Sequence, residues 1–87
     1  MENDLLTQVQ ALKLCRSGKT LAIEFVQIEE GRRKQPLFSA FLTLDDGSKK
    51  QIALARGGPR KLYGQGALTL AEDLEFDRAV FRFKNGL

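Results

Sequence analysis

The chain has 87 residues, of which 43% are hydrophobic and 29% are charged, a composition typical of a single folded domain spanning residues 1–87. It contains no histidine and one cysteine, Cys15, so it lacks the commonest general base and metal ligand and cannot form an internal disulfide. No apolar run approaches the roughly 18 residues of a membrane-spanning helix, and the first residues are acidic, unlike a secretory signal. We therefore predict a cytoplasmic protein that uses no metal and no cofactor and does not enter a membrane.

The net charge of +3 is concentrated in the middle of the chain. Residues 32–61 carry a net charge of +6, whereas residues 1–31 carry −2 and residues 62–87 carry −1. An uneven distribution of this kind favours a polyanionic partner, either nucleic acid or an acidic protein surface. The alternative interpretation is an ordinary solvated surface that is rich in lysine and arginine.

The N-terminal segment predicts a helix over residues 4–16. Leu5, Val9 and Leu12 recur at helical spacing and form an apolar stripe. The Asn-Asp dipeptide at positions 3 and 4 can cap the start of this helix, and Gly18 can end it. We expect the apolar stripe to pack on one face of a sheet.

Three strands follow, with predicted bounds of 20–29, 37–44 and 49–56. A polar loop over residues 30–36 joins the first two strands, and a hairpin turn over residues 45–48 joins the second and third. Such short connections predict an antiparallel meander.

Alternating apolar residues predict which face of the first strand is buried. Leu21, Ile23 and Phe25 alternate onto one face, and Val26 and Ile28 then change parity. The change indicates either a bulge near Phe25 or a strand that is covered on both faces.

The core residues also constrain the register of the hairpin between the second and third strands. Leu42 and Ile52 must share the core face, but a two-residue turn at Asp46 and Gly47 would place them on opposite faces. We therefore predict a three-residue loop or a bulge at this turn.

The C-terminal third begins with a glycine-rich connection up to residue 66. Thr69 and Glu72 have the spacing of a capping box, which predicts a short helix over residues 70–74. Alternation over residues 76–84 predicts a fourth strand. The residues of that strand expected to face the core are Ala79, Phe81 and Phe83.

The predicted fold is α+β, with a sheet of about four antiparallel strands and the N-terminal helix packed on one face. The predicted order along the chain is α-β-β-β-α-β. So short a chain has a small core, and apolar Leu37, Phe41 and Val80 point away from it. These outward apolar residues favour a homodimer formed through a face or an edge of the sheet.

Two basic segments are predicted to form one phosphate-binding patch. In a meander, the loop after the first strand and the end of the third strand lie at the same end of the sheet, so the two segments come together. Arginine binds two phosphate oxygens through its planar guanidinium, and nearby glycines let backbone amides approach an anion. The predicted nucleic-acid-binding residues are Arg32, Arg33, Lys34, Arg56, Arg60 and Lys61, with Tyr63 stacking on an unpaired base.

A second basic row, formed by Arg78, Arg82 and Lys84, points outward from the last predicted strand. Three interpretations remain open for it, and one is that these charges surround a dimer interface centred on Leu37, Phe41 and Val80. The row can belong to a sheet face that binds single-stranded nucleic acid, with Phe41 as a stacking residue. Alternatively, charges on an outer strand prevent edge-to-edge pairing with another sheet.

No residue pattern predicts catalysis. The acidic residues often occur as sequence neighbours, which point in different directions on a strand, and no serine has a histidine partner. Cys15 lies on the apolar stripe of the first helix, where a buried thiol is unreactive. We therefore predict a small non-enzymatic nucleic-acid-binding accessory or regulatory protein. The alternative is a protein–protein interaction module, an inhibitor or an oligomeric adaptor, that docks on an acidic partner surface.

Overall fold

The computed structural model describes residues 5–53 and 60–84 of the chain. It confirms the α+β class, and within those residues it contains two helices and a mixed sheet. The elements, numbered in chain order, are β1 (Leu5–Thr7), α1 (Gln8–Arg16), β2 (Thr20–Glu30), β3 (Pro36–Leu44), β4 (Lys49–Ala53), β5 (Lys61–Leu62), α2 (Gly64–Asp73) and β6 (Val80–Arg82).

The sheet has more strands than predicted. Within the described residues six strands are present: five run in the order β1-β4-β3-β2-β6, and β5 pairs with β3. β2, β3 and β4 form the predicted antiparallel meander. However, β1 is parallel to β4 and β6 is parallel to β2, so the prediction of an antiparallel sheet is wrong. Parallel neighbours need long connections, and α1, which follows β1, and α2, which precedes β6, form part of them.

Helix α1 begins at Gln8 rather than at residue 4, because Thr7 caps it. The Thr7 hydroxyl accepts a hydrogen bond from the amide of Gln10 at 3.2 Å, and the Gln10 side chain accepts one from the Thr7 amide at 2.9 Å. This capping box satisfies two backbone amides at the helix start. The preceding residues form β1, which places Leu5 in the sheet instead of on the helix.

The apolar stripe of α1 also differs from the predicted one. Ala11 is fully buried, and Leu12 and Cys15 pack against the core. Val9, which was expected in the core, is 65% exposed because it lies about 200° around the helix axis from Ala11. Gly18 follows the helix with a φ of 76°, as a glycine that ends a helix commonly does.

The core lies between one face of the sheet and both helices. Burial and strand register place Ile23 and Phe25 of β2 on that face. We call the opposite side of the sheet the outer face; alternation places Glu24 and Phe41 on it, and neither described helix covers it. The buried core residues are Ala11, Ile23, Phe25, Phe38, Ala40, Leu42, Ile52, Leu62, Ala67, Leu70, Ala71 and Leu74.

Two register shifts explain the change of parity along β2. One lies between Thr20 and Ala22, and the other lies between Gln27 and Glu29. A bulge was predicted near Phe25, but the shifts flank that residue on both sides. The first shift takes Leu21 out of the ladder, and Leu21 is 66% exposed rather than buried as predicted.

The turn between β3 and β4 has the predicted three-residue loop. The amide of Leu44 donates to the carbonyl of Ser48 at 2.8 Å and encloses that loop. Leu42 consequently lies opposite Lys50, on the same face as Ile52. The hydrophobic pattern therefore predicted correctly that Leu42 and Ile52 share one face of the sheet.

Helix α2 starts well before the predicted span of 70–74. It begins at Gly64, with Tyr63 as the capping residue, and Thr69 and Glu72 lie inside it rather than forming a capping box. Buried alanines and leucines at spacings of three and four residues hold the helix on the sheet despite the glycines of its first turn. None of the helices within residues 5–53 and 60–84 has the length and hydropathy needed to cross a membrane.

Strand β6 is shorter than the predicted strand over residues 76–84 and covers only Val80–Arg82. Phe81 stacks on Phe25 with ring centroids 5.0 Å apart, as expected of a core residue. Phe83 is 52% exposed, although its ring packs nearly perpendicular to that of Phe38, with centroids 5.6 Å apart. The strand ends early, so Phe83 is only partly covered.

Candidate anion-binding hairpin

Residues 31–35, which we call the hairpin tip, connect β2 to β3 through a tight turn. The amide of Gly31 donates to the carbonyl of Gln35 at 2.7 Å, and the amide of Gln35 donates back to the carbonyl of Arg32 at 3.1 Å. Arg33 and Lys34, the two central residues, have φ values of 56° and 61°. Positive φ at both central positions is the signature of a type I′ hairpin turn.

The residues at the centre of this turn are unusual for its geometry. A type I′ turn strongly prefers Asn-Gly, because residues other than glycine, asparagine and aspartate are strained in the left-handed region. Here both positions are occupied by long basic side chains, Arg33 and Lys34. The hairpin tip therefore combines backbone strain with two adjacent cations.

Tyr63 supports the hairpin tip from the side. Its hydroxyl accepts a hydrogen bond from the amide of Arg32 at 3.0 Å. A Cβ atom added to Gly31 would overlap that hydroxyl oxygen, so a residue with a side chain would displace the ring. The structure therefore places Tyr63 beside the loop that carries Arg32, while the merging of the two basic segments into one patch stays a prediction. The Tyr63 hydroxyl positions the hairpin, and the role of Tyr63 in stacking on a base stays a prediction.

Three of the predicted site residues lie on the hairpin tip itself. Arg32, Arg33 and Lys34 are exposed, and within the described parts of the chain their side chains have no hydrogen-bond or ion-pair partner. Glu29 and Glu30 lie just behind them at the end of β2 and are also exposed. The positive charge is therefore concentrated at the tip of the hairpin, with acidic residues at its base.

Two other members of the predicted patch, Arg60 and Lys61, have partners inside the protein. Arg60 is half-buried, and its Nη1 donates to Oε1 of Gln8 at 2.6 Å. The Lys61 ammonium lies 3.3 Å from a carboxylate oxygen of Glu29. Arg56 lies outside the described residues. The cations that remain available for an anion, among the described members of the set, are those of the hairpin tip.

The second predicted group, Arg78, Arg82 and Lys84, does not form one row. Arg82 lies on β6 and forms an ion pair with Glu24. The amide of Lys84 donates to the side chain of Gln27 at 3.0 Å, beyond the end of β6. Arg78 precedes β6 and lines a pocket of about 380 Å³ beside α2.

Glu24 is a feature of the outer face that the sequence analysis did not single out. It is 7% exposed, and its carboxylate lies 2.9 Å from the Lys49 ammonium while also pairing with Arg82. Lys49 must reach across β3 to make this contact, because β3 lies between β4 and β2. The available signal was a lone acidic residue between Ile23 and Phe25 in an apolar strand.

Residues 5–53 and 60–84 contain no group of three or more histidine, cysteine, aspartate or glutamate side chains that could hold a metal ion. Comparison of the chain with protein-family models, curated proteins and solved structures finds no match.

Proposed function

We propose that this protein is a small non-enzymatic nucleic-acid-binding protein, with an accessory or regulatory role, that contacts phosphates through its hairpin tip. The observation that carries the proposal is the exposed trio of Arg32, Arg33 and Lys34 on a turn that Tyr63 holds in place. Their side chains lack partners among the described residues, so they are free to bind an anion.

Phosphate suits this arrangement better than a generic anion. An arginine fork matches two phosphate oxygens, and a lysine adds a strongly attractive point charge. The backbone of the tip is already ordered by its own hydrogen bonds and by Tyr63, which lowers the entropy lost on binding. Asn-Gly would relieve the backbone strain at these two positions. The presence of Arg33 and Lys34 there instead favours a functional use of the two cations.

A second candidate is the protein–protein module, and the outer face favours it. Leu37, Phe41 and Val26 are half-buried there, and Val80 is 46% exposed. Neither described helix covers these residues, so they could meet a partner or a second copy of the chain. The homodimer stays a prediction that light scattering at high micromolar concentration would test.

The experiment that tests nucleic-acid binding measures fluorescence anisotropy of labelled single- and double-stranded oligonucleotides. The test variant combines Arg33→Ala with Lys34→Ala. The matched control combines Lys13→Ala with Lys19→Ala, which removes the same charge from α1 and from the residue just before the opposite end of β2. We expect the test variant to bind more than tenfold more weakly at about 100 mM salt, and the control to bind like the wild type.

Absence of binding by the wild type to either oligonucleotide, even at about 50 mM salt, would contradict the proposal. Equal loss of affinity in the test and control variants would also contradict it, because binding would then depend on net charge alone. In either case the protein–protein module would become the better account of the basic hairpin.

A further inference from the structure

A groove separate from the hairpin lies between β1 and one flank of α1. Its volume is about 390 Å³, within the range of about 300–1,000 Å³ that ligand sites occupy. The groove opens on the protein surface. Its lining residues are Leu6, Gln10, Lys13, Leu14, Ser17 and Lys19.

The lining follows one side of α1. Four of the six residues lie at positions 10, 13, 14 and 17, which is the spacing of a continuous helical stripe. Gln8 and Arg16, on a different side of the helix, bond to Asp73 and Glu75 at the end of α2 and just beyond it. The groove therefore lies on the flank of α1 that faces away from α2.

The side-chain oxygen of Gln10 and the hydroxyl of Ser17 are already engaged within the protein, whereas the cations of the groove are not. Gln10 accepts the hydrogen bond of the capping box, and the Ser17 hydroxyl donates to the carbonyl of Leu14 at 3.1 Å. Lys13 and Lys19 are exposed, and neither ammonium has a partner within the described residues. No acidic residue lines the groove. An occupant must therefore supply apolar surface together with negative charge.

We propose that this groove binds an acidic, leucine-rich segment of a partner protein. The apolar part of that segment packs between Leu6 and Leu14, and its carboxylates pair with Lys13 and Lys19. Two separate lysines match two carboxylates of a peptide better than the single carboxylate of a fatty acid. The groove is also open, whereas a site for a lipid chain encloses most of its ligand.

The neighbouring strand offers a second means of attachment. Leu6 belongs to β1, which is the terminal strand of the sheet order and pairs with β4 on one side. On its other side no strand of the described residues pairs with it. An extended peptide that adds to such an edge gains backbone hydrogen bonds while its side chains enter adjacent pockets.

The test uses a set of fluorescein-labelled, capped peptides in which two leucines are flanked by glutamates. The leucines are placed at the spacing of a strand in some peptides and of a helix in others. Control peptides carry serine in place of leucine, or lysine in place of glutamate. The protein variants are Lys13→Glu with Lys19→Glu, and Arg33→Glu with Lys34→Glu on the hairpin tip as the control with the same change of net charge.

We expect at least one glutamate–leucine peptide to bind the wild type, and the double charge reversal to weaken that binding by at least tenfold. The hairpin variant should bind the peptide like the wild type, which separates this site from the proposed nucleic-acid site. Circular dichroism verifies that each variant is folded. The proposal is overturned if no peptide of the set binds at about 1 mM, if serine peptides bind equally well, or if the charge reversal has no effect.

Discussion

The hydroxyl of Tyr63 accepts a hydrogen bond of 3.0 Å from the backbone amide of Arg32, and the same ring occupies the space that a side chain at Gly31 would need. Tyr63 is also the residue at the N-cap position of α2, where its backbone carbonyl accepts a hydrogen bond from the amide of Ala67 at 2.8 Å. The orientation of the hairpin tip is therefore tied to the helix that packs beside β3 and β5. This contact links the fold to the proposed phosphate site.

The first prediction concerns this contact. Tyr63→Phe removes the hydrogen bond but keeps the ring, and it should lower the free energy of unfolding by about 1 kcal/mol in urea titrations. Gly31→Ala should cost about 1–3 kcal/mol, because the added Cβ would overlap the tyrosine ring. In a Tyr63→Ala background the cost of Gly31→Ala should largely disappear. Additive costs in this double-mutant cycle would show that the two residues do not interact as described.

The second prediction separates stability from function at the turn. Replacing Arg33 with Asn and Lys34 with Gly gives the sequence that type I′ turns prefer. Relief of the left-handed backbone strain stabilises the fold, whereas the greater freedom of glycine in the unfolded chain opposes this gain. The net effect should be a rise of about 1 kcal/mol in the free energy of unfolding. The same variant should lose oligonucleotide binding. A lower urea midpoint would argue against a strained type I′ geometry.

The third prediction compares two residues of α1. Leu12 packs against the core, and Leu12→Ala should lower the free energy of unfolding by about 2 kcal/mol. Val9 is 65% exposed, and Val9→Ala should change the free energy of unfolding by less than about 0.5 kcal/mol. Urea denaturation measures both. The reverse ranking would contradict the orientation of α1, whereas a large cost at both positions would fit the apolar stripe that the sequence pattern predicts.

The fourth prediction concerns pH. The Arg16 guanidinium donates a hydrogen bond to the Glu75 carboxylate at 2.9 Å, and this bond, together with its charge, holds the pKa of Glu75 below its ordinary value. The ion pair therefore stabilises the fold above the pKa of glutamate in the unfolded chain, and the contribution is lost as the pH falls through the lower folded-state pKa. Carboxyl NMR titration should show the Glu75 pKa rising in Arg16→Met. An unchanged Glu75 pKa in Arg16→Met would show that Arg16 does not bind the Glu75 carboxylate.

Local pattern predicted the centre of the sheet well. Alternation in β2 and β3, together with the shared face of Leu42 and Ile52, predicted the meander and its three-residue turn. The edges were predicted less well, because pairing there depends on contacts distant in sequence. Nothing local indicates that Leu5 pairs beside Gln51, or that β6 runs parallel to β2.

The basic hairpin tip was predicted from charge and loop composition, but its support was not. In the sequence Gly31 looks like an ordinary loop glycine, because Tyr63, whose ring it contacts, lies far from it along the chain. The same limit applies to Arg60 and Lys61, whose partners Gln8 and Glu29 are set by tertiary packing. A charge run predicts where cations are, whereas only the folded structure shows which of them are already paired.

The most direct test of the account is the salt dependence of oligonucleotide affinity for the wild type and for the variant that combines Arg33→Ala with Lys34→Ala. Affinity of the wild type should fall linearly on a log–log plot against salt concentration, and the slope for the variant should be shallower by about one unit for each lost phosphate contact. Identical slopes and affinities for the two proteins would show that the hairpin tip does not contact phosphate, and would contradict the central claim.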